Sequence, residues 1–105
     1  GEEHPDTLGA KGNLALSLRE LGDLQGASEL VKQVLEAMSR TLGEEHPKTL
    51  IAKGNLAPTL RHLGDLEGAA ELEGQVLEVF RRTLGEEHKD TLISKTNFAC
   101  TLRNL

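Results

Sequence analysis

GEEHPDTL at Gly1–Leu8 returns as GEEHPKTL at Gly43–Leu50 and as GEEHKDTL at Gly85–Leu92. The tag recurs every 42 residues, and the likeness runs on beyond it. Residues 1–42 and 43–84 are identical at 30 of 42 positions, and residues 43–63 and 85–105 at 14 of 21. A period of this length belongs to a solenoid, in which each unit hides its apolar face only against its neighbours. It also sets the kind of function to look for. A short solenoid offers a surface to a partner more often than it performs chemistry.

Each unit reads as a helical hairpin. His4-Pro5 opens the first helix, because proline in the first turn lacks only an N–H that would go unused. Pro47 repeats this, and Lys89 replaces it in the third unit. Leu8, Ala15, Leu18 and Leu21 follow at helical spacing with Leu14 beside them. Gly22-Asp23 and Gly64-Asp65 break the pattern. Leu24, Ala27, Leu30, Val31, Val34, Leu35, Met38 and Leu42 then mark a second helix, which Gly43 ends. Five helices are predicted, at about 5–21, 24–42, 47–63, 66–84 and 89–104. Turns this short make neighbours antiparallel. Gly9, Gly12, Gly26, Gly54, Gly68 and Gly74 lie inside predicted helices, each at a cost of about 1 kcal/mol against alanine. Packing must therefore supply the order. Pro58 lies deep in the third helix, and a kink is expected there.

The expected fold is all-α: a solenoid of five helices in two and a half units, 1–42, 43–84 and 85–105, forming one array across 1–105. The chain lacks an initiator methionine and starts and stops at unit or half-unit boundaries, so a fragment of a longer array, or a piece excised by design, is expected. Net charge is −5, with 12 Lys+Arg against 17 Asp+Glu. That argues against nucleic acid as partner, since phosphate binding needs a basic face. No apolar run approaches the roughly 18 residues of a membrane span. The one cysteine, Cys100, cannot form an internal disulfide, which points to a reducing, cytoplasmic setting.

These residues resemble the tetratricopeptide repeat in its long form of 42 residues, seen in kinesin light chains and in fungal, algal and animal sensor-type proteins. The likeness covers the whole chain. It rests on the repeated tag, on Asn13-Leu14-Ala15, Asn55-Leu56-Ala57 and Asn97-Phe98-Ala99, on Gly22 and Gly64 at the turns, and on Ala27 and Ala69. Val34-Leu35-Glu36 and Val76-Leu77-Glu78 complete it. The resemblance implies a right-handed superhelix whose first helices line a concave, peptide-binding groove. The chain departs from the pattern at Leu18, Leu60 and Leu102, where aromatics are usual, at Pro58, and at Glu73-Gly74 in place of Val31-Lys32.

On a wheel of about 100° per residue, Leu14, Ala15, Leu18 and Leu21 share one side of the first helix. Gly9, Asn13, Leu16 and Glu20 fall opposite. The same stripe holds Ile51, Asn55, Pro58 and His62, then Ile93, Asn97, Cys100 and Asn104. This stripe is the expected concave face. Asparagine both donates to and accepts from a peptide backbone, and in the family the equivalent residue commonly holds ligand backbone. Asn13, Asn55 and Asn97 are therefore candidate clamps, with helix bracing as the alternative. Arg19, Arg61 and Arg103 flank the stripe. They suit a carboxylate-bearing partner or, equally, pairing with an acid of the adjacent helix.

Lys11, Lys53 and Lys95 lie on the apolar side, where a stem along leucines with its head reaching water or a helix carboxylate is expected. His4, His46 and His88 sit in separate loops, about 10 Å apart in packed helices. That is too far to share one metal at about 2 Å, so they are expected to cap helix starts. The Glu-Glu pairs before each first helix suit its dipole. No nucleophile or metal partner recurs beside them, and Cys100 has no matching base. No catalytic residue, metal or cofactor is expected. The expected partner is a protein or peptide, acidic with an apolar anchor. A self-associating or spacer array is the alternative, through Phe98, Leu102 and Leu105 on a last helix without a partner, by dimerisation or helix exchange.

Overall fold

Four glycines with positive φ punctuate the chain: Gly22 (93°), Gly43 (99°), Gly64 (89°) and Gly85 (97°). Side chains rarely enter this region, so a glycine stops each of the first four helices. In the computed structural model, which describes residues 5–105 and the side chains of 7–105, five helices lie between these stops. They are α1 (Pro5–Glu20), α2 (Leu24–Thr41), α3 (Pro47–His62), α4 (Leu66–Leu84) and α5 (Lys89–Arg103). No strand occurs among the described residues. The predicted starts hold, and the ends agree to within one residue.

The turns close by capping. The Asp23 amide donates to the Leu18 carbonyl at 2.8 Å, and that of Asp65 to Leu60 at 2.8 Å. The two aspartates then cap the next helices, accepting from Gly26 N and Gly68 N at 2.9 Å. This explains two glycines that looked costly. A Cβ at Gly26 or Gly68 would stand 2.5 Å from the aspartate carboxylate, so a side chain would displace the cap. His46 and His88 cap α3 and α5 as expected. Their Nδ1 atoms accept from Lys48 N at 3.1 Å and Asp90 N at 3.0 Å. His4 lies outside the described residues. α3 runs on through Pro58 to His62 without a break in its helical assignment.

Each helix packs on its neighbours in sequence, giving a slab of 38 × 28 × 19 Å. The core is laid out in line. Leu8, Val34 and Ala37 meet near Met38; Leu56, Ala57, Leu60 and Ala69 meet near Val31, Leu35 and Leu72; Leu50, Val76 and Val79 meet near Phe80. Thr49 and Thr91, from the repeated tag, are wholly buried. Two leucines placed on the apolar side by the wheel are instead exposed: Leu14 at 52% and Leu21 at 82%. Leu56, the equivalent of Leu14, packs on α2. No second helix precedes Leu14 among the described residues. Leu21 and Leu63 sit at the turn, past the reach of the paired helix.

The charged residues of the tag clasp the loop to helices of its own unit. Lys53 is buried and its Nζ lies 2.9 Å from Glu44 Oε1, while Lys95 meets Glu86 at 2.7 Å. The acid is therefore supplied by the loop and not by a helix. These lysine hydrogen bonds are the main reason the carboxyls of Glu44 and Glu86 are held below their ordinary range. Arg82 grips Glu45 with both nitrogens, at 2.6 and 3.3 Å, which stabilises its charged form. Glu44, Glu45 and Glu86 thus act first as ion-pair partners. Among the described residues, no helix is long and apolar enough to cross a membrane.

Candidate functional site

A cleft opens between α1 and α3, with α2 as its floor. Its volume is about 450 Å³. Ala27, Val31, Val34 and Met38 form the floor, and Asn13, Leu16, Arg19, Ile51 and Asn55 form the walls. A second cleft, of about 630 Å³, lies over α3 and α4 and is lined by Leu50, Val76, Val79 and Phe80. Ile51 and Asn55 line both clefts, so the two are sections of one groove joined at α3. The helix pattern accounts for this. Each first helix turns one stripe to its paired helix and leaves the opposite stripe open, and short turns hold successive first helices side by side.

The open stripe carries apolar side chains in solvent. Ile51 is 62% exposed, and Leu16 is half-exposed. Asn13 and Asn55 are exposed beside them, with amides available for hydrogen bonding. The first section therefore joins an apolar floor, open apolar walls and two carboxamides.

The other candidates are less gathered. Pro58 is half-buried, and its carbonyl lies 3.0 Å from Nδ1 of His62. Ile93 and Asn97 are exposed on α5 but line neither cleft. Of the three arginines, Arg19 alone lines the groove. Arg61 Nη1 stands 3.5 Å from Glu73 Oε2 on the adjacent helix, and Arg103 Nη2 stands 3.7 Å from Cys100 Sγ. Phe98 is half-buried over Gly74, where an added Cβ would meet its ring at 3.4 Å. Leu102 and Leu105 are 47% and 60% exposed.

Several contributors were not named as site residues from the sequence. Lys48, in the first turn of α3, lines the first section. Val31 and Met38 form part of its floor, although their spacing marked them only as core. The Val31-to-Glu73 difference was legible, but not its place beside Arg61. No cluster of three or more metal-ligating side chains occurs among the described residues.

A family model described as the tetratricopeptide repeat matches residues 6–82. The chain belongs to the tetratricopeptide-repeat family. Tetratricopeptide repeats generally mediate protein–protein interaction. This array is similar to the solved structure of a Podosopora anserina protein described as a kinesin light chain with nearly identical tetratricopeptide-like repeats. The TM-score is 0.87 at 34% identity, over 96% of this chain and 48% of that one. A single-residue variant of that protein gives 0.84 at 33% identity, over 98% and 49%. BtubC, also named BKLC, from P. vanneervenii gives 0.82 at 25% identity, over 96% and 40%. The array thus spans about half the length or less of the solved structures it matches. No curated protein sequence matches it. The fold is the kinesin-light-chain-like form of the tetratricopeptide solenoid.

Proposed function

We propose that this array is a protein-interaction module that holds an extended peptide segment along the groove over α1 and α3, and that it is not an enzyme. One observation carries the reading: Ile51 and Asn55 are open to solvent and shared by both groove sections. A strand lying there meets carboxamides for its backbone and an apolar floor for an anchor residue. Apolar contact supplies most of the energy. Arg19 and Lys48 add positive charge at the first section, which suits an acidic partner.

The test is titration of peptides selected on an array against the wild-type chain and Asn55→Ala. Affinities of about micromolar to millimolar are expected, some −8 to −4 kcal/mol. Asn55→Ala should cost about 1–3 kcal/mol, because peptide groups held in the groove lose their partner. Added salt should weaken the acidic peptides and leave neutral ones unchanged. Equal binding by Asn55→Ala would exclude the groove as the site.

A second reading rests on α5. Ala99 is exposed and Leu102 is 47% exposed, whereas the equivalent Ala57 and Leu60 are buried under α4. An apolar face of this kind seeks cover, and a second copy of the chain provides it by self-association or helix exchange. Sedimentation at rising concentration should show association that Leu102→Ser with Leu105→Ser removes. A monomer at every concentration excludes this reading.

A further inference from the structure

The two units differ in charge at one point beside the groove floor. α2 carries Val31 there, and α4 carries Glu73 at the equivalent position. Glu73 is 8% exposed. Its Oε2 lies 3.5 Å from Nη1 of Arg61, and its Oε1 has no hydrogen-bond partner among the described residues. Arg19, the equivalent of Arg61, shares the first section with Val31. It is exposed, and among the described residues no carboxylate pairs with it.

These two arginines are therefore not equivalent toward a ligand. For Arg61 to turn toward an incoming carboxylate it would loosen its hold on Glu73, and a buried carboxylate left uncompensated is strongly unfavourable. The incoming carboxylate would also meet Glu73 as a like charge. Arg19 faces neither obstacle. Resting on the groove reading above, we propose that Glu73 holds Arg61 out of ligand recognition and so sets the charge pattern of the partner. An extended segment then places its carboxylates over the first section of the groove, at Arg19 and Lys48, and a neutral or basic residue beside Arg61 and Glu73. Glu73 acts here as a positioning residue for Arg61. Repetition alone would have made the second unit another acid-reading site.

The test uses fluorescein-labelled peptides of alanine, leucine and serine carrying a pair of glutamates near one end, near the other, or glutamines in their place. They are titrated against wild type, Glu73→Val, Arg61→Gln, Arg19→Gln, and Glu73→Val with Arg61→Gln. Glu73→Val restores the residue of the first unit. It should tighten the acidic peptides about tenfold, the worth of one hydrogen bond to a charged group, and leave the glutamine peptide unchanged. Adding Arg61→Gln should erase that gain. In the wild-type background Arg19→Gln should weaken the acidic peptides about tenfold, and Arg61→Gln should change them less than about twofold.

The proposal is overturned if Arg61→Gln costs as much as Arg19→Gln, or if Glu73→Val leaves acidic peptides unchanged. Dichroism checks that Arg61→Gln, which bares Glu73, remains folded; if it does not, the comparison between Glu73→Val and its double variant decides. If no peptide binds any variant, the groove reading falls and this proposal with it. If peptides bind without these differences, only this proposal falls.

Discussion

Helices α3 and α5 share more than half of their aligned residues, yet they end differently. In α3, Leu56, Ala57 and Leu60 are 2%, 1% and 4% exposed. In α5, Phe98 is half-buried, Ala99 is open and Leu102 is 47% exposed. α1 shows the complementary pattern, with Ala15 buried and Leu14 open. The Ala-Leu face is covered by the second helix of the same unit, and the Leu14-type face by the second helix of the unit before. α3 alone has both, since α2 and α4 pack on either side of it. Burial in this array belongs to the neighbour as much as to the residue, as expected when each unit is stabilised by nearest-neighbour interfaces.

The largest effect should fall on the residue that separates the helices most sharply. Leu56→Ala should destabilise the chain by about 2–5 kcal/mol, whereas Leu14→Ala should stay within about 0.5 kcal/mol. Urea unfolding of both variants measures this. Equal losses would mean that Leu14 finds cover that the comparison denies it.

A smaller effect should be indifferent to position. Asp23 and Asp65 cap with the same geometry in the two units, so Asp23→Ala and Asp65→Ala should each cost about 1 kcal/mol. A cap acts within one turn and does not depend on which unit follows. Thermal unfolding that separates the two variants widely would show that even the caps depend on neighbours.

The smallest effect concerns the tag's clasps. The carboxyls of Glu44 and Glu86 are held below the ordinary value of 4.5, chiefly by hydrogen bonds from Lys53 and Lys95. Their contribution is therefore present above that value and lost as pH falls below it, through the lower folded-state values. Both carboxylates are well exposed, so solvent limits the gain. Glu44→Gln should shallow the fall in stability on acidification and lower stability near neutral pH only slightly. A denaturation series across that pH range checks the sign.

Much of the groove was legible in advance. Asn13, Leu16, Arg19, Ile51 and Asn55 follow from placing one stripe opposite Ala15 and Leu18, and they do share a cleft. Arg61 was the harder case, because pairing with an adjacent acid and facing a ligand were equally open. The ion pair with Glu73 depends on how α4 is set against α3, and a wheel of one helix carries no such information. Gly26 and Gly68 misled for the same reason in reverse. Their value lies in admitting an aspartate three residues earlier, which propensity alone scores as a loss.

What the amino-acid order determined by itself is local: the 42-residue period, the five helices, the glycines that stop the first four, and the aspartates and histidines that start the last four. Those features rest on φ, ψ and hydrogen bonds within a turn of chain, so each copy of the repeat repeats them. Tertiary structure decided which copies of a repeated residue are covered, that Lys53 is buried against the loop carboxylate of Glu44, and that Arg61 is engaged while Arg19 is open. Burial and charge pairing are set by atoms distant in sequence and close in space. Identical residues at Leu14 and Leu56 could not differ until α2 stood beside one of them.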